Sequence, residues 1–315
     1  MKRRSSSLLV TLAALTLIGC GKKERPNTAA DSTAGSRMAD SIVATVSGFE
    51  TPESVFDDVA RDVYLVSNIN GNPSAKDNNG YIARLTPDGI VDSLHFIQGG
   101  RGGVTLNAPK GMALAGDSLW VADIDALRIF DVVTGRSLGS VDFSAQHAVF
   151  LNDVTRAPDG SIYVTDTGIR ITATGMEHPG PDRVFRVAPG GAVSVALQGE
   201  NLAAPNGITW DSAGNRLLIV PNGGPNILAW SPGDSAPSVV VQGPGGFDGV
   251  ETLRGGHFLV SSWDSTGVYL YDGKTLRAIA TGLSSPADIG VDRKRHRLLI
   301  PLLNENKVEI RLLPR

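Results

Sequence analysis

A pattern that recurs six times along the chain constrains its fold more than any other feature. Each unit opens with polar or glycine residues ahead of an apolar one, then carries an apolar strand rich in Val, Leu, Ile and Tyr. The pairs are Glu53-Ser54-Val55 with Tyr64-Leu65-Val66-Ser67, Lys110-Gly111-Met112 with Leu119-Trp120-Val121-Ala122-Asp123, and Asn152-Asp153-Val154 with Ile162-Tyr163-Val164-Thr165-Asp166. Asn206-Gly207-Ile208 with Leu217-Leu218-Ile219-Val220, Asp248-Gly249-Val250 with Phe258-Leu259-Val260-Ser261, and Ala287-Asp288-Ile289 with Leu298-Leu299-Ile300 complete the set. The first apolar residues stand at 55, 112, 154, 208, 250 and 289, so successive units are 57, 42, 54, 42 and 39 residues apart. A four-stranded propeller blade takes roughly 40–45 residues, which leaves extra loop in two units.

The reading is an all-β, six-bladed β-propeller over residues 42–315. The 37 Gly and 18 Pro fit its many turns and exclude a helical bundle. The last unit is one strand short, and Ile42-Val43-Ala44-Thr45-Val46 stands as a strand ahead of the first. This N-terminal run is expected to complete the sixth blade and close the ring, removing the open edges that invite aggregation.

Ahead of that domain, Met1-Lys2-Arg3-Arg4 is basic and leads into an apolar run, Leu8 to Ile18, too short to span a bilayer. The run ends in Leu17-Ile18-Gly19-Cys20, which resembles a bacterial lipobox. Residues 1–19 therefore read as a lipoprotein signal peptide, Cys20 as the lipidated first residue of the mature chain, and residues 20–41 as a flexible tether. Cys20 is the sole cysteine, so neither a disulfide scaffold nor a multi-cysteine zinc site is available. The implied location is the cell envelope, membrane-anchored, with the domain in the periplasm or outside the cell. The formal net charge of −3 loses three positive charges with Lys2, Arg3 and Arg4, and a mildly acidic domain offers no footprint for nucleic acid.

In a propeller the residue opening each unit faces the central channel. One slot collects Glu53, Lys110, Asn152, Asn206, Asp248 and Ala287, and the next collects Ser54, Gly111, Asp153, Gly207, Gly249 and Asp288. Oxygen donors recurring in one slot suit a hard cation such as Ca2+, and the absence of His and Cys from the slots argues against zinc or copper. Asn, Asp and Gly at these places also serve as turn residues that accept left-handed backbone.

The segments Leu151-Asn152-Asp153-Val154, Ala204-Pro205-Asn206-Gly207-Ile208 and Phe247-Asp248-Gly249-Val250 resemble the Asn-Asp, Asn-Gly and Asp-Gly motifs of the gluconolactonase/regucalcin (senescence marker protein) family. The similarity runs over roughly residues 49–315. It implies a six-bladed propeller with a central divalent cation, usually calcium, held by Glu53, Asn206 and Asp248. Asn152 follows as ligand or substrate contact, and Asp248 or Asp288 as candidate general base for hydrolysis of a lactone or related ester. Two departures stand out. Glu53 precedes Val55 by two residues where the family has three, which leaves Glu50 as a competitor, and Lys110 places an ammonium in the slot, pointing either into the channel, where it would replace part of the metal's charge, or out to solvent.

The long connections 68–80 and 168–182 are expected to rim the same mouth, with Asp153, Lys110 and His178 as substrate contacts beside Asn152. Asp77-Asn78-Asn79-Gly80 reads as a turn rather than a calcium loop, and Gly99–Gly103 as an interblade turn. No Gly-x-Ser-x-Gly elbow occurs, and His95, His147, His257 and His296 show no metal spacing. The expected partner is a small-molecule substrate, bound by a monomer. A non-catalytic propeller that binds a ligand, glycan or protein through its rim is the competing reading.

Overall fold

The computed structural model describes residues 41–314. The signal peptide, Cys20 and nearly all of the tether lie outside the described residues. Six four-stranded antiparallel sheets follow one another along the chain, with one extra hairpin of Arg170–Thr172 and Gly175–Glu177 inside the third unit. They form the six blades of a β-propeller. The innermost strands of blades one to five are Pro52–Asp58, Pro109–Ala115, Leu151–Arg156, Pro205–Asp211 and Phe247–Thr252. That of blade six shrinks to Gly290–Asp292, because the chain from Pro286 to Asp288 pairs with neighbouring strands through isolated bridges, Pro286 to Leu302 and Asp288 to Ser54, rather than a continuous ladder.

The ring closes as the sequence predicts. Ile42–Ser47 pairs antiparallel with Lys307–Leu312 as the outermost strand of blade six, so the first and last strands of the domain share one sheet. Val46 is buried there with Val308 and Ile310, in a cluster that also takes Val55, Tyr64 and Val66 from blade one. The core as a whole is divided among the seams between blades: Leu65 and Ile82 meet Leu119 and Val121, Leu127 meets Val164, and Tyr163 meets Leu217 and Trp230. Among the described residues, helix is confined to four 3-10 turns of three residues each.

A shared irregularity shapes the centre. In each of blades one to five the inner strand gains one residue on its partner where the two slots lie, as where Leu151 pairs with Asp166 but Val154 with Val164. Blade six does the same between Pro286 opposite Leu302 and Gly290 opposite Leu299. Such a bulge re-aims the residues that it contains.

The slot glycines have a cause different from turn chemistry. Gly111, Gly207 and Gly249 lie inside strands and adopt no positive φ. A Cβ on Gly111 would stand 2.1 Å from Asp153 Oδ1, one on Gly207 2.3 Å from Asp248 O, and one on Gly249 2.5 Å from Ile289 N. The next blade's inner strand occupies the place of their side chains. Hydroxyls on the second strands stitch these contacts. Ser67, Thr165 and Ser261 accept from the N–H groups of Ser54, Asp153 and Gly249 at 2.9, 3.0 and 2.8 Å. Thr165 then donates to Asn206 O at 2.6 Å and Ser261 to Ala287 O at 2.8 Å, each in the following blade.

Two stability outcomes follow. Deleting residues 42–47 exposes Lys307–Leu312 and uncovers Val46's seam, and should lower the melting temperature by about 10 °C; a calorimetric scan that superimposes on the wild type would refute the closure role. Gly290→Ala, whose Cβ would lie 2.1 Å from Val55 O, should cost about 3 kcal/mol, read as a drop in the denaturation midpoint.

Candidate functional site

One mouth of the channel opens into a cavity of about 420 Å3 whose lining includes Glu53, Lys110, Asn152, Asn206 and Asp248. These are the first-slot residues of blades one to five, brought together by the shared bulge. Glu50 is exposed and absent from this lining, so the shifted Glu53 is the carboxylate that faces the channel.

Both asparagines are oriented by the protein. Asn152 donates its amide NH2 to Thr167 Oγ1 at 3.1 Å, and Thr167 donates onward to Pro205 O at 2.8 Å. Asn206 donates its NH2 to Phe247 O at 3.2 Å. With the nitrogens committed, the carbonyl oxygens are left for the cavity. Glu53 Oε2 and Asp248 Oδ1 are buried without a hydrogen-bond partner, an arrangement native proteins retain where something else satisfies the oxygen.

The carboxylates are electrostatically frustrated. Burial first, then the Asp248 and Asp288 carboxylates, push Glu53 well above the ordinary range, with Lys110 pulling it down. Burial and then Asp288 raise Asp248, against hydrogen bonding from the Trp263 and Asn206 side chains.

Lys110 is only 1% exposed and does not point to solvent. Its Nζ donates to Ala108 O at 3.0 Å and Pro73 O at 3.3 Å, and lies 4.2 Å from the centroid of the Phe150 ring. Among the described residues it forms no ion pair with a carboxylate, so it does not occupy the place between Glu53 and Asp248. Burial pushes its ammonium down to about 8, with Glu53 and Asp123 holding it up.

The second slot faces the other way. Asp153 and Asp288, with Ser54, line a separate cavity of about 510 Å3 that also takes Glu251 and Arg293. Asp153 accepts from the N–H of Ile208 at 2.7 Å and that of Val154 at 2.6 Å, and burial raises it. Asp288 accepts from Ser54 Oγ at 2.5 Å, and burial lifts it to about 7. His178 stands apart from both, paired with Asp182 Oδ1 at 2.8 Å beside a third cavity that takes Glu200 and Gly223. The structure thus joins Glu53, Lys110, Asn152, Asn206 and Asp248, and places Asp153, Asp288 and His178 elsewhere.

Much of the rim comes from the two long connections and the residues at their starts. Ile69, Gly71 and Pro73 come from the first, and Thr167, Ile169, Ile171 and Met176 from the second. They are tied to each other, Ile171 N donating to Ser74 Oγ at 2.9 Å and Asn72 Nδ2 to Ile171 O at 3.4 Å. Trp263, Phe150 and Thr167 are cavity residues that sequence reasoning did not single out. Phe150 precedes an inner strand, whereas for Thr167 and Trp263 the usable signal was position, since each follows the second strand of its blade and those ends lead into the same mouth. The aspartates ending those strands anchor it, Asp123 accepting from Asn107 N and Ala108 N and Asp166 from Val149 N and Phe150 N, just ahead of the slots.

Among the described residues no group of three His, Cys, Asp or Glu side chains is placed to hold a metal. The donor set is instead mixed, two carboxylates and two amide oxygens. Two orphaned buried carboxylate oxygens fit a hard cation.

No curated protein matches the chain by sequence. Among solved structures it is similar to a candidate gluconolactonase (20% identity, 86% of this chain and 90% of that one, TM-score 0.63). A gluconolactonase from Xanthomonas campestris is similar at 19% identity (86% and 89%, TM-score 0.62), and a streptogramin B lyase at 11% (86% and 97%, TM-score 0.57). At these identities the likeness carries the fold. The model of the SMP-30/gluconolactonase/LRE-like region matches residues 78–298, well over half of the chain, and the chain belongs to that family.

Proposed function

We propose that this protein is a lactonase-type hydrolase that takes up Ca2+ through Glu53, Asn152, Asn206 and Asp248, and that a lipid on Cys20 holds it to a membrane of the bacterial envelope. Family membership supports the lactonase-type hydrolase. The observation that carries the site is the pair of buried, unpartnered oxygens, Glu53 Oε2 and Asp248 Oδ1, in the same cavity as two asparagines whose nitrogens are already committed.

A divalent cation bound there would polarise an ester carbonyl and offset the two carboxylates. The chain's own residues do the rest. Thr167 and Phe247 O hold the two amides so that oxygen rather than nitrogen faces the centre. Asp248, raised by burial and then by the Asp288 carboxylate, is the candidate base for an attacking water, through the carboxylate oxygen that the ion would leave free. Lys110 spends two N–H groups on Ala108 O and Pro73 O and retains a third. At about 8 it is protonated at neutral pH yet able to release the proton to a departing alkoxide. Asp288 opens to the opposite cavity, and its charge acts on Glu53 and Asp248 through the protein.

Asp248→Asn should lower lactone hydrolysis by about two to three orders of magnitude and abolish a Ca2+-dependent rise in melting temperature shown by the wild type. A wild-type domain that neither gains thermal stability from any divalent ion nor shows chelator-sensitive hydrolysis would rule this reading out.

Binding must also displace protons from carboxyls that burial has raised. Apparent Ca2+ affinity should therefore strengthen as pH climbs above the ordinary carboxylate range of about 4, with protons released on binding. Titration calorimetry in buffers of different ionisation enthalpy reads both, and a pH-independent affinity without proton release would contradict it.

A further inference from the structure

The cavity is divided by chemistry. The side chains from the inner strands, Glu53, Asn152, Asn206, Asp248 and Lys110, are polar. Those from the rim are mostly apolar: Ile69 and Pro73 from the first long connection, Ile169, Ile171 and Met176 from the second, and Leu303 from the turn after blade six's second strand. Met176 sits on the hairpin's second strand, Gly175–Glu177, with 65% of its surface exposed, an apolar side chain held at the mouth with little protein to cover it.

Of the polar side chains that remain, Thr51, Thr167, Asn222 and Asn304, two are already engaged. Thr167 Oγ1 accepts from Asn152 and donates to Pro205 O. Asn304 Nδ2 donates to Ser285 Oγ at 2.5 Å. Lys110 gives two of its three donors to backbone. A polyhydroxylated ring would lose water from several hydroxyls here and find few partners for them. A ligand with one ester head and an apolar arm would match both halves. The hairpin is fixed for that task, since Ile171 is hydrogen-bonded through both its N–H and its carbonyl to the first connection across the mouth.

We propose that the site is specific for lactones or esters carrying an aliphatic arm, with the ester over the polar floor and the arm against the wall of Ile69, Ile169, Ile171 and Met176. This rests on the hydrolase reading above, and the experiment separates the two. Binding is measured by calorimetry on the full domain with hydrolysis-resistant lactams: a six-membered ring lactam bearing alkyl chains of increasing length, and its polyhydroxylated sugar counterpart. The alkyl lactams should tighten about fourfold for each added methylene until the chain fills the cavity, and the sugar lactam should bind at least tenfold more weakly than the longest. Ile171→Asn, and Met176→Gln at an exposed position that tolerates change, should each flatten the dependence on chain length while leaving the affinity of the unsubstituted ring unaltered. The proposal is overturned if the sugar lactam binds as tightly, if affinity ignores chain length, or if neither substitution changes the slope. Hydrolysis of the matching lactones is followed in parallel. Chain-length-dependent binding without hydrolysis of any of them supports the apolar-arm site and defeats the hydrolase reading, whereas hydrolysis of a sugar lactone with flat chain-length dependence defeats the apolar arm alone.

Discussion

The approach of neighbouring inner strands at the channel sets the terms for everything else in this molecule. Where Gly111 meets Asp153 and Gly207 meets Asp248 O, the blades come within the space that a methyl group would need. That closeness allows Thr165 and Ser261 to reach a carbonyl in the next blade, and it narrows the ring enough for side chains from five blades to share one cavity. A wider ring would leave each of those side chains facing water by itself. The glycines are thus a packing requirement, and two of the slot residues, Lys110 and Asn206, are held by backbone carbonyls.

The cost of the arrangement is concentrated charge in a poorly hydrated place. Glu53, Asp153 and Asp248 are buried near the axis, with Asp288 half-buried beside them, and Lys110 is the buried cation that acts on Glu53 there. The imbalance is handled differently on the two sides. Toward the second cavity, Asp153 takes two backbone N–H groups, one on each oxygen, and Asp288 takes the Ser54 hydroxyl on Oδ2. Toward the first, Glu53 and Asp248 each keep an oxygen without a partner. Of these four carboxylates, the two with a buried oxygen that lacks a partner, Glu53 and Asp248, both lie on the side of the first cavity.

Much of this was legible because a propeller repeats. Six copies of the same opening revealed the blades, the missing strand identified Ile42–Ser47 as the closing one, and aligning the copies put Glu53, Asn152, Asn206 and Asp248 in one slot before any geometry was known. What the alignment could not reveal was direction. A strand alternates its side chains by two, but an inserted residue breaks that count, and a bulge leaves no residue-type signature when its occupants are as varied as Glu-Ser, Asn-Asp and Lys-Gly. Asp153 and Asp288, adjacent in sequence to the site, consequently belong to the other mouth. His178 was misleading for a related reason: its loop does rim the mouth through Ile171 and Met176, yet the chain turns back at Gly180 and hands the imidazole to Asp182.

The bulge also explains how one short segment can serve two purposes. In blades one to five the first-slot residue lines the candidate site, and the second-slot residue lines the other cavity, as Ser54 and Asp153 do, or packs against the next blade, as Gly111, Gly207 and Gly249 do. Glu53 and Ser54 show the division: the carboxylate enters the candidate site, while the hydroxyl and adjacent backbone bind Asp288 across the closing seam between blades six and one. That seam lies next to the strand exchange that completes the ring. Any loosening of the closure is therefore transmitted directly to Glu53, whose own carbonyl accepts from Asp288 N at 2.8 Å. Ring closure and the geometry of the site are thus one constraint, since the segment that locks the last blade to the first also carries the carboxylate that the cavity leaves unpaired.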